Sequence, residues 1–138
     1  MDKTDELLLE LIENNARMSY QELGDAIGMS RVAAKKRVQK LEREGIIRGY
    51  KTDICREDDV TMLIDIVPVR GKMDDVISVL GNRMAYIRQI LKSTAENHIY
   101  VIAVSNEASN LKYLVKMVEK KCGDDIAKIE CHNVFKED

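Results

Sequence analysis

The stretch SRVAAKKRVQKLEREG, Ser30 to Gly45, places Arg31, Lys35, Lys36, Arg37 and Lys40 ahead of Glu42 and Glu44. A helix has a positive N-terminal end, so forward cations forgo about 0.3–1 kcal/mol each relative to the reverse arrangement. Such an order suits a surface that meets an anion. Residues 30–51 hold eight cations against two acids, a net +6, whereas residues 1–29 carry −5 and residues 52–138 carry −3. The total of −2 hides this basic island, which is a local electrostatic footprint.

As a helix, the segment turns Ala34, Val38 and Leu41 to one side, at i, i+4 and i+7. Arg31, Val32, Lys35, Lys36, Gln39, Lys40 and Arg43 are left outward. An α-helix fits the major groove of DNA, N-terminal end first in a helix-turn-helix. Arg31 and Lys35 suit the guanine O6 and N7 acceptors, with Lys36 beside them, and Val32 suits a thymine methyl. Lys40, Arg43, Arg48 and Lys51 lie further back and suit phosphates, and Ser30 offers a hydroxyl. The competing reading is a solvated helix face, with Lys40 and Glu44 an ordinary i, i+4 pair. Duplex DNA is favoured over RNA because the stacking aromatics expected for single strands are missing: the chain has one Phe, Phe135, and no Trp.

Other chemistry finds little support. Cys131, His132, His98 and Cys55 are the residue types that bind metals, but Cys131 and His132 are neighbours on an expected strand and point to opposite faces. Cys131 reads as core. The odd count of three cysteines, without a C-x-x-C, reads as reduced thiols in a cytoplasmic protein. No phosphate loop, nucleophile motif or paired-carboxylate pattern is present, so neither a cofactor nor a metal is expected and the chain does not read as an enzyme. No apolar run approaches the ~18 residues of a membrane span.

The elements that must position the basic helix are legible. Asp2 caps a first helix, with Asp5 three residues on and Leu8, Leu11 and Ile12 inward. ENNAR (13–17) ends it. Ser19 with Glu22 forms a capping box for a second helix that buries Leu23, Ala26 and Ile27 and stops at Gly28. Ser30 caps the third, and Gly45 ends it. IIRGYKT (46–52) reads as a strand. Three helices, a turn of about three residues (GMS) and a trailing strand make a winged helix-turn-helix over residues 1–52.

Residues 53–60, DICREDDV, read as a linker. Beyond it come a strand (61–69), a helix (72–83), strands (85–93 and 99–105), a helix (109–121) and a strand (126–135). That βαββαβ order over residues 61–138 predicts a ferredoxin-like domain, and the whole chain an α+β protein. The helices of such a domain cover one sheet face only. Gln89, Arg88, Lys128 and Glu130 suit exposed outer strands, yet the third strand is apolar on both sides: Ile99, Val101 and Ala103 on one, Tyr100, Ile102 and Val104 on the other. A second copy packing on the bare face is one remedy, a central strand with a half-exposed face the other.

With these elements in place, the chain resembles the Lrp/AsnC (feast/famine) transcriptional regulators. TDELLLELIENNAR, LGDAIGMS and RVQKLEREGIIRGY carry the likeness, which is specific in the first half and looser in the second. The resemblance implies a cytoplasmic prokaryotic DNA-binding regulator whose recognition helix spans residues 30–43. It implies a homodimer formed through the βαββαβ domain, assembly into octamers or other rings, and an amino acid held between dimers. One departure stands out. The family's glycine-aspartate-aromatic-aspartate signature between the second and third strands is replaced by Thr94, Ala95, Glu96 and Asn97, followed by His98. Glu96 could meet an ammonium, and Thr94 or a backbone N–H a carboxylate; equally, the loop reads as a polar turn. A branch of haem-pathway decarboxylases shares the architecture, but an enzyme has no use for +6 on that helix.

Overall fold

The computed structural model describes residues 1–81 and 84–137. Asn82 and Arg83, at the end of the helix expected over 72–83, lie outside the described residues, as does Asp138. The chain divides into two compact units, Met1–Ile54 and Cys55–Asp138.

The first unit contains α1 (Lys3–Asn14), α2 (Tyr20–Ile27) and α3 (Arg31–Arg43). Each start is capped by the residue expected. Asp2 accepts from the Asp5 N–H at 2.8 Å, Ser19 from Glu22 at 3.0 Å and Ser30 from Ala33 at 3.1 Å. Each such cap contributes about 1 kcal/mol. Gly28 and Gly45 close α2 and α3 with φ of 73° and 74°, a conformation costly for residues with a Cβ. Leu8, Leu23, Ala34 and Val38 form the core, with Leu11, Ile12, Met18, Tyr20, Ile27 and Ile47 against it.

Two expectations fail here. Ala26 is exposed, and Gly24 is buried instead. The inward stripe of α2 runs through Leu23, Ile27 and Gly24, on the other side from Ala26. A Cβ built at Gly24 would lie 2.6 Å from the Met29 carbonyl oxygen, so this position lets α2 approach the turn before α3. The segment 46–52 forms no strand. It has no neighbouring strand in its unit to share a ladder with, and Ile47 turns into the helical core. Burial pushes the Tyr50 hydroxyl above its ordinary value, with Glu42 and Tyr20 adding to it.

The second unit is β1 (Val60–Pro68), α4 (Met73–Gly81), β2 (Ile87–Ser93), β3 (His98–Ser105), α5 (Ala108–Cys122), a 3-10 turn (Gly123–Asp125) and β4 (Ile126–Val134). The strands form one antiparallel sheet in the order β2-β3-β1-β4, the ferredoxin-like arrangement. Ile64, Ile66, Ile99, Val101 and Ala103 pack beneath Val76 and Leu80 of α4 and Leu111, Leu114, Val118 and Cys122 of α5. β2 begins two residues later than expected because Tyr86 is left-handed, with φ of 72°, and a bulge follows between Ile87 and Gln89.

Among the described residues, no helix of this unit packs on the opposite sheet face. Register brings Leu63 opposite Ile102, and Asp65 opposite Tyr100. Tyr100, Ile102, Val104, Leu63 and Val67 are half-buried, and Leu91 is 48% exposed. The acids Asp65 and Glu130 on this face have partners: His98 Nδ1 lies 2.6 Å from Asp65 Oδ1, and Lys128 Nζ 2.9 Å from a Glu130 carboxylate oxygen. The His98 ring stacks on Tyr100 with centroids 5.6 Å apart.

Cys131 is exposed, contrary to the expectation of a core residue. It sits opposite Ile64 on the helix side of the sheet, but β4 is an edge strand and leaves it exposed. His132, opposite Leu63, is on the other face. No group of three or more metal-binding side chains is assembled among the described residues, and no helix among them is long and apolar enough to cross a membrane.

Candidate nucleic-acid interface

The capped start of α3 is the part of the first unit from which cations project. Ala34, Val38 and Leu41 are buried, at 0%, 2% and 2% exposure, and this anchoring fixes the helix's rotation. Arg31, Val32, Lys35, Lys36, Lys40 and Arg43 are consequently exposed, Val32 to 62%. Gln39 is half-buried, while Ser30, Arg48 and Lys51 are exposed. The Ser30 hydroxyl oxygen is engaged by the Ala33 N–H, though its own O–H remains able to donate.

The cations of α3 fall into two groups. Arg37 Nη1 lies 2.8 Å from Asp2 and 3.0 Å from Asp5, in the first turn of α1. The Arg37 hydrogen bond, with help from the Asp5 N–H, holds the Asp2 carboxyl below its ordinary value of 3.8. Arg37 therefore ties α3 to α1 and is turned away from the front. Lys35 instead stands over the Tyr20 ring, its ammonium 6.0 Å from the centroid, at the outer limit of a cation–π contact. Lys40 and Glu44 lie 3.9 Å apart, a loose exposed pair contributing little. Nothing local to α3 signals the Arg37 clamp, since its partners lie 32 and 35 residues away. Gly24 was missed for the same reason: its role exists only in the packed unit.

In the second unit, Thr94, Ala95 and Asn97 line a cleft of about 260 Å3 together with Arg70 and Gly71. Glu96 is not among the lining residues. Asn97 has φ of 58° and donates from Nδ2 to the Pro68 carbonyl at 2.9 Å, joining the β2–β3 hairpin to the end of β1.

Residues 1–48 match the winged helix-turn-helix DNA-binding family. The uncharacterized HTH-type transcriptional regulator PH0061 of Pyrococcus horikoshii is 30% identical over 105 residues, covering 73% of this chain and 70% of its own. Its crystal structure superposes with a TM-score of 0.84, at 21% identity, over 100% of this chain and 95% of that one. LrpA of the same organism is 25% identical over 117 residues, covering 83% of each chain. A Neisseria meningitidis transcriptional regulator, NMB0573, solved as its L-Met complex, has the same fold, with a TM-score of 0.78 and 19% identity over 99% of this chain and 91% of its own. The family match falls on the unit that carries the capped, basic α3, and the likeness to PH0061 extends over both units; this chain belongs to the Lrp/AsnC family of DNA-binding transcriptional regulators.

Proposed function

We propose that α3 is the recognition helix by which this regulator reads duplex DNA. The observation that carries the reading is the projection of Arg31, Val32, Lys35 and Lys36 from a buried Ala34–Val38–Leu41 stripe. Arg31, Lys35 and Lys36 are assigned to base edges and Val32 to a thymine methyl; Gln39, Lys40, Arg43, Arg48 and Lys51 hold the backbone, with Ser30 adding a hydroxyl. Residues 1–52 are then the DNA-binding domain, 53–60 the linker and 61–138 the assembly and effector domain. The test is fluorescence anisotropy on the protein's own promoter region across a salt series. Affinity should fall steeply with salt. The Lys35→Ala, Lys36→Ala pair should weaken binding and relax the sequence preference at the base pairs it contacts. Wild-type affinity in that variant would remove the assignment.

The half-covered sheet supports a homodimer, with the apolar face of one copy on that of another and dimers building an octamer or other ring. A dimer would present two α3 helices to half-sites about 10–10.5 base pairs apart, or a multiple of that. We place an effector site at the hairpin Thr94–Asn97, a small molecule there shifting DNA affinity; the L-Met complex of the Neisseria relative supports a small-molecule effector. We place the protein among binders in the cytoplasm rather than enzymes, in keeping with the names of its relatives.

A further inference from the structure

The cleft beside the β2–β3 hairpin holds a cation, Arg70, and no carboxylate among its described lining residues. A free amino acid brings both an ammonium and a carboxylate, and each needs a partner. Two side chains of the hairpin have the chemistry to meet an ammonium, Glu96 and Asn97. Glu96 is exposed and does not line the cleft. Asn97 is fixed by its bond to the Pro68 carbonyl, leaving Oδ1 as a neutral acceptor. Arg70 attracts a carboxylate and repels an ammonium.

Resting on the reading that this hairpin holds an effector, we propose that the cleft selects a small carboxylate lacking an ammonium, a 2-oxo or 2-hydroxy acid, over the matching amino acid. The carboxylate pairs with the Arg70 guanidinium. The neighbouring oxygen meets the Thr94 hydroxyl, and where it is a hydroxyl it donates to Asn97 Oδ1.

Calorimetric titration of the full chain with matched sets tests this: L-alanine, pyruvate and L-lactate; L-leucine and 4-methyl-2-oxopentanoate; L-glutamate and 2-oxoglutarate. At least one oxo or hydroxy acid should bind about tenfold or more tighter than its amino acid, a difference of one well-made charged contact. Arg70→Gln should weaken that acid by a similar factor and Arg70→Lys by less, both with an unchanged thermal melt. Thr94→Val, at the second contact, should weaken it too. An amino acid that binds as tightly as its acid overturns the proposed class and leaves the effector site standing. Acid binding indifferent to Arg70→Gln overturns the cleft as the site. No binding by any probe, in protein that still binds DNA, overturns both the class and the effector reading but not the DNA reading.

Discussion

The two units solve opposite problems with surface. The first is sealed: its core of Leu8, Leu23, Ala34 and Val38 is closed on itself, and what it shows to solvent along α3 is mostly charge. The second is sealed on one side only, and its other sheet face carries half-buried Tyr100, Ile102, Val104, Leu63 and Val67. The difference teaches where each unit's partner lies. An exposed charged face is stable in water and waits for a polyanion, whereas an exposed apolar face is stable only when covered.

The largest expected effect tests that asymmetry directly. Ile102→Asp puts a carboxylate in the centre of the apolar face, and burying it in an interface costs several kcal/mol. Light scattering should show the wild type at twice 15.8 kDa or more and the variant at 15.8 kDa. A wild type that stays at the monomer mass at micromolar concentration would falsify the covered face.

Next is Gly24→Ala. A Cβ would meet backbone at the Met29 carbonyl, so overpacking should cost about 1–3 kcal/mol. Gly49→Ala, which meets nothing within 4 Å, should stay within about 0.5 kcal/mol. Equal thermal midpoints for the two variants would show that α2 does not need the close approach.

The two groups of α3 cations allow a finer contrast. Arg37→Met should lower the melting temperature of the first unit and leave the DNA affinity of the folded protein nearly unchanged. Lys35→Ala should weaken DNA binding and leave the melt nearly unchanged. If both move the same observable, Arg37 and Lys35 do not differ in role.

The smallest effect is one of pH. The Asp2 carboxyl is held low by Arg37, so folding binds fewer protons at this site than the unfolded chain does. Its contribution is fully present above the ordinary value of 3.8 and disappears as pH falls through the lower folded value. Asp2→Asn should flatten this part of the acid-unfolding profile; an unaltered profile would mean that the clamp adds nothing to stability.

These contrasts also mark what the sequence could disclose. Local chemistry was legible: Asp2, Ser19 and Ser30 as caps, Gly28 and Gly45 as stops, and the two-faced alternation of β3. Each depends on residues within four positions or on a short period. What escaped depends on distant partners. Gly24 gains its meaning from Met29 across a packed turn, and Arg37 from acids in another helix. The stretch 46–52 has strand composition but no strand to pair with, and Cys131 alternates correctly but stands at an edge. The candidate site divides in the same way. The outward face of α3 follows from its period, whereas the commitment of Asn97 to Pro68, and the place of Arg70 beside the hairpin, exist only in three dimensions.

The paired charges of the open sheet face have a consequence for symmetry. A twofold dimer sets a surface against its own image, so any lone charge near the axis confronts a copy of itself. Asp65 held to His98, and Glu130 held to Lys128, find their partners within one chain. The face can therefore meet its image with these two acids already held by partners of their own chain.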